Sequence, residues 1–216
     1  MYNHQNGLPN HVVPFGRAKL RFEHNVAAAP NVDVYANGQK IISNLGYTKY
    51  HGYLDVAAGR YNISVHAANS QNAFLNAAVD IGAGDSYTVV VHGDIRDRAS
   101  IGALVLEDNN MCPHTGSAHV RFIHATPSAP MVDVLADGSV IFQDVAYGQA
   151  GNPVYLPVPA GRHSLAVNLA NTTTTALGPI DVDLADRGIY TIIAAGVPGN
   201  QQTPLTAVII NEPECM

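Results

Sequence analysis

Residues 18–47 read AKLRFEHNVAAAPNVDVYANGQKIISNLGY, and residues 118–147 read AHVRFIHATPSAPMVDVLADGSVIFQDVAY. At a constant offset, 13 of the 30 positions are identical, among them Arg21/Arg121, Phe22/Phe122, His24/His124, Asp33/Asp133, Gly38/Gly138 and Tyr47/Tyr147. The match resumes after a two-residue insertion, with GYLDVAAGRYNISV (52–65) against VYLPVPAGRHSLAV (154–167). It runs on through residues 78–93 against 181–196 and closes with ALVLED (103–108) against AVIINE (207–212). Self-similarity at a period of this size means one structural unit used twice. The reading is an arm over 1–16, a first repeat over 17–108, a linker over 109–117 and a second repeat over 118–216.

Each copy reads as β-structure. Leu20, Phe22 and His24 alternate with Lys19, Arg21 and Glu23, the period of two of a strand. Val32, Val34 and Ala36 alternate with Asp33 and Tyr35 before Asn37-Gly38, a tight hairpin turn that the second copy builds from Asp137-Gly138. No stretch shows a helical apolar stripe. About seven short strands per repeat predict an all-β chain of two tandem antiparallel β-sandwich domains, immunoglobulin-like, with a small barrel as the alternative.

Composition narrows the function classes. Charged residues make up 13% of the chain, against roughly 25% in an average soluble domain. The 18 Asn and 7 Gln fill part of that gap. Eleven basic residues against 17 acidic ones argue against a nucleic-acid partner. The longest apolar runs are far too short to insert in a membrane as helices. Residues 1–16 lack the basic start and apolar stretch of a secretory signal.

The pattern R-x-x-H, then A-P-x-V-D-V-x-x-x-G, then Y-L-x-V-x-A-G-R and a final Tyr-Thr strand resembles a bacterial family of domains of unknown function. Its members occur in tandem in surface or secreted proteins. The resemblance implies a β-sandwich and an extracytoplasmic setting, and it carries no catalytic residues to transfer.

Arg21 and Asp33, with Arg121 and Asp133, share the outward parity of their strands, so each couple is expected to form a cross-strand ion pair. His24 and His124 end the first strand of each copy and are expected to tie down the loops to Pro30 and Pro130 by donating to a carbonyl. The ten histidines form no H-x-H or H-E-x-x-H pair, and no metal site or cofactor is expected. Enzyme signatures such as G-x-S-x-G and the P-loop are missing, which predicts a non-enzymatic protein.

Cys112 and Cys215 follow the last strand of their respective repeats. With the domains strung end to end, these points lie far apart, which favours a bridge between chains over an internal bridge or two thiols. Val12, Val13 and Phe15 form the one apolar cluster of the arm and could dock on a neighbour. Low charge and exposed sheet edges lead to a structural protein that self-assembles into a homo-oligomer or polymer on a cell, spore or virion surface, as an envelope, coat or appendage subunit. The alternative is a module that binds carbohydrate or another surface polymer.

Overall fold

The computed structural model describes residues 16–108 and 111–212 and is all-β. The first domain contains β1 (Arg17–Ala27), β2 (Val32–Ala36), β3 (Gln39–Leu45), β4 (Lys49–Ala57), β5 (Gly59–Ala67), β6 (Ala73–Ile81), β7 (Ser86–Asp94) and β8 (Asp97–Glu107). They form two four-stranded sheets ordered β4-β1-β7-β8 and β3-β2-β5-β6. The second domain contains β9 (Ser117–His124), β10 (Val132–Ala136), β11 (Ser139–Val145), β12 (Gln149–Ala150), β13 (Leu156–Pro159), β14 (Gly161–Leu169), β15 (Thr175–Leu184), β16 (Ile189–Ala195) and β17 (Thr206–Asn211). Its sheets run β11-β10-β14-β15 and β12-β9-β16-β17, with β13 also pairing β9. Each domain is a β-sandwich, and neither closes as a barrel.

Most pairings are antiparallel, but β1 pairs β7 and β9 pairs β16 in parallel. The hairpins turn where the sequence places them. Asn37-Gly38 and Asp137-Gly138 both have positive φ at each residue (50° and 80°, 51° and 81°), the conformation of a two-residue turn matched to strand twist.

Burial explains why the first strand of each copy sits where it does. Leu20 and Phe22 enter the first domain's core with Val34, Ile63, Val79 and Val89. Phe122 enters the equivalent core with Val134, Leu165, Val182 and Ile192. The opposite faces of β1 and β9 are buried as well, because the β1/β7 and β9/β16 sheets face each other. Val90, Ile123, Ala125, Ile193 and Ile210 form a third apolar cluster drawn from both domains. The two repeats therefore stack as four sheets, with one outer sheet exposed on each side.

Candidate functional site

Between the two inner sheets lies a buried polar cluster with internal two-fold character. Arg21 and Arg121 each reach both Asp108 and Glu212. Arg21 stands 3.6 and 3.2 Å from these carboxylates, and Arg121 stands 2.7 and 3.1 Å from them. The guanidinium Nε of Arg21 donates to Thr88 at 3.0 Å, and that of Arg121 donates to Thr191 at 3.0 Å. Thr88 in turn donates to Asp108 at 2.8 Å, and Thr191 donates to Glu212. Tyr53 covers the Arg21 guanidinium and bonds Asp108 at 2.7 Å, while Tyr155 covers Arg121 and bonds Glu212 at 2.9 Å. All four charged side chains are at most 3% exposed, and their charges sum to zero. A buried cluster of this kind holds only while both signs are present.

Glu23 lies beside this cluster and is fully buried. Burial pushes its carboxyl up to about 8, against the opposing pull of Asn25, Arg21 and Arg121. Asn25 donates to one of its oxygens at 2.9 Å. The repeat has Ile123 at the corresponding place, so this third acid belongs to one domain only. A second inter-domain contact is made by Tyr147, whose hydroxyl donates to the Ser100 carbonyl at 2.6 Å and meets His92 Nδ1 at 2.8 Å. Since the phenol proton is committed to Ser100, His92 is the donor to its oxygen. Burial lowers the His92 imidazole to about 4, so it is neutral there.

These contacts correct the expected ion pairs. Arg21 and Asp33 belong to different sheets, as do Arg121 and Asp133, so neither couple can pair across strands. The arginine parity that reads as outward points into the domain junction instead of into water. Asp33 binds Lys40 at 2.6 Å and accepts the Asn44 amide at 2.9 Å and the Asn69 amide at 3.3 Å. Asp133 accepts the Asp144 and Asn171 amides, both at 2.9 Å. Asn44, Asn69, Asp144 and Asn171 all have positive φ near 50–65°, so each aspartate staples one strained strand residue, in β3 or β11, and one strained loop residue.

His24 Nε2 stands 3.3 Å from the Pro30 carbonyl, and His124 Nε2 stands 3.0 Å from that of Pro130. Their Nδ1 atoms accept the Val26 and Thr126 amides. Burial lowers the His24 imidazole to about 4 and lowers that of His124 as well.

Val12, Val13 and Phe15 lie outside the described residues, as does Cys215. Cys112 is disulfide-bonded, and the sequence holds one other cysteine. The premise of domains strung end to end does not hold, since Asp108 and Glu212 meet across Arg121. Among the described residues no group of three or more His, Cys, Asp or Glu is placed to hold a metal.

Sequence reasoning missed Thr88/Thr191, Tyr53/Tyr155 and Asp108/Glu212. The signal was present: each couple occupies matching repeat positions, and ALVLED and AVIINE both end on an acid.

A polar depression lies on the outer sheet of the first domain. It has a volume of about 380 Å³ and is lined by Gly38, Asn62, Ser64 and Asn76, with Ile63, Ala77 and Ala78. Ser64 shares a 3.0 Å hydrogen bond with His66, whose ring packs 4.6 Å from Tyr35. Strand register places Ser164 and Ala166 at the positions of Asn62 and Ser64 in the second domain. The amide-rich lining is therefore not repeated there.

A tandem of β-sandwiches fused face to face through one buried charge cluster is the class that this architecture defines. The chain belongs to the family described as "Domain of unknown function (DUF4397)", which matches residues 18–134 and again residues 118–214. This agrees with the resemblance carried by the repeat motif. No curated protein matches. Solved structures that share some of its shape include the Bacillus anthracis TIE protein, with a TM-score of 0.25 and 11% identity over 83% of this chain and 34% of that one. Another is a family CBM26 module from Eubacterium rectale Amy13K, solved in complex with maltoheptaose, with a TM-score of 0.26 and 8% identity over 91% of this chain and 97% of that one. The chain thus spans about a third of the length of the first of these.

Proposed function

We propose that this chain is a non-catalytic, extracytoplasmic binding module whose first domain takes a neutral, hydroxyl-rich polymer such as a surface polysaccharide. The observation that carries this reading is the depression at Asn62, Ser64 and Asn76. Carboxamides offer donors and acceptors together and no charge, which suits paired sugar hydroxyls. Support for the non-catalytic part comes from the placement of the perturbed groups. Glu23, His24 and His92 are at most 7% exposed and lie in the junction or the sandwich interior, away from this depression. A disulfide at Cys112 supports an oxidising compartment.

Polysaccharide pull-down and calorimetry test the reading. Retention on a neutral glycan, lost in the Asn62→Ala/Asn76→Ala double variant at unchanged melting temperature, is the expected result. Failure to retain any glycan across a broad array would overturn it.

Self-assembly is the second reading, favoured by the open edge of the second domain's outer sheet. There β11 carries Val140 at 55% exposure. An unpaired edge with apolar side chains is a template for a further strand. Light scattering that shows a monomer at all concentrations would remove this reading.

A further inference from the structure

We propose that the second domain has a binding site for a small, uncharged aromatic molecule, at the open end of its sandwich and separate from the polar depression of the first domain. The site is visible because the chain contains its own filled counterpart.

Val65 and Val167 occupy equivalent places, each paired with the central valine of its hairpin, Val34 or Val134. Across the next strand Val65 faces Leu75, and Val167 faces Leu177. Ala73 and Thr175 are matched in the same way, which places Ala176 where the first domain has Phe74. Phe74 packs against the first core, as does Ile95 at the tip of the tight β7–β8 hairpin. In that domain β1 also continues to Ala27 alongside β7. In the second domain β9 stops at His124, β16 stops at Ala195, and a ten-residue loop over 196–205 replaces the hairpin.

The result is a cavity of about 350 Å³ between the two sheets, walled by Val132, Val167, Ala176, Leu177 and Leu205. No charged side chain lines it. His124 contributes to its wall but offers neither a charge nor a spare nitrogen: burial keeps it neutral, Nε2 is held by Pro130 and Nδ1 by Thr126. Ser128 is the exposed hydroxyl at the mouth. An apolar cavity with so few polar partners holds water poorly and takes apolar guests. The counterpart space is filled by a phenyl ring and a branched aliphatic chain, which sets the size and chemistry of the occupant. A monocyclic aromatic with at most one hydroxyl, directed toward Ser128, meets both conditions.

The test uses the full chain with phenol, benzyl alcohol and toluene as probes, and benzoate and benzylammonium as charged controls. Neutral aromatics are expected to raise the melting temperature and to shift the NMR methyl signals of Val167, Leu177 and Leu205, while the charged controls do neither. Ala176→Phe, which copies the first domain's plug, is expected to weaken binding by about tenfold or more. Phe74→Ala is expected to create a second site, read as new shifts at Leu75 and Val65. Should Ala176→Phe fail to fold, the methyl shifts of the unmodified protein and the Phe74→Ala gain decide the matter. Absence of shifts with all neutral probes, or unchanged affinity in a folded Ala176→Phe protein, would overturn the proposal. Protein-concentration dependence of the pocket methyls without any probe would assign the pocket to a second copy of the chain and overturn it equally.

Discussion

Arg121→Met removes one of two guanidiniums from a closed set of four charges, and the structure fixes what should follow. Arg121 is fully buried, contacts Asp108 at 2.7 Å and Glu212 at 3.1 Å, and donates to Thr191. Its loss leaves two carboxylates against Arg21 alone, at 3.6 and 3.2 Å. Breaking a buried charge set in this way costs about 3–5 kcal/mol, because one charge stays uncompensated in a medium that solvates it poorly. Methionine keeps most of the side-chain volume, so lost packing contributes little. Adding Glu212→Gln restores neutrality, with Arg21 and Asp108 as the remaining pair. The double variant should therefore fall short of the sum of the two single losses by about 2 kcal/mol. Urea unfolding followed by circular dichroism measures all four corners of the cycle. A single-variant loss under about 1 kcal/mol, or simple additivity, would refute the view that the junction is held as one neutral unit.

Three further outcomes follow from the same geometry. Glu23 has its folded-state carboxyl raised to about 8 from an ordinary 4.5, so its contribution is fully present below 4.5 and is lost as pH rises through about 8. Glu23→Gln should consequently gain on the unmodified protein by up to about 1.4 kcal/mol per pH unit across that window; parallel stability curves would refute this. Asp33→Asn and Asp133→Asn each weaken a carboxylate that accepts two backbone amides, and each should cost about 1–2 kcal/mol by thermal unfolding; equal melting would show that the staples contribute nothing. Because Asp108 and Glu212 meet at one guanidinium, peptide mapping without reductant should link Cys112 to Cys215 within a single chain. Dimers that collapse on reduction would contradict it.

The fused junction has a consequence for any ligand. The two outer sheets sit on opposite sides of one four-sheet stack, so the amide-lined depression of the first domain and the exposed edge at Val140 belong to separate surfaces of one body. A polymer held at the first domain would leave the second domain's outer sheet and its apolar cavity accessible.

The sequence by itself determined everything governed by near neighbours along the chain. Alternation in β1 and β2, the Asn37-Gly38 and Asp137-Gly138 turns, and the reach of His24 and His124 to prolines six residues on are short-range matters of strand pleat, φ and side-chain length. The duplication was legible for the same reason, as a comparison of one stretch with another. What only the tertiary structure decided is which polar residues share a buried space. Arg21 lies 67 residues from Thr88, and Arg121 lies 91 from Glu212. Strand parity shows that Arg21 opposes Phe22, but it does not distinguish a face turned to water from one turned to a second sheet. That choice was made by domain stacking, which buries Val90, Ile123 and Ile210 together and removes water from the arginines between them. With water gone, the arginines need carboxylates at hydrogen-bonding distance, and the acids that end each repeat are the ones that stacking brings there.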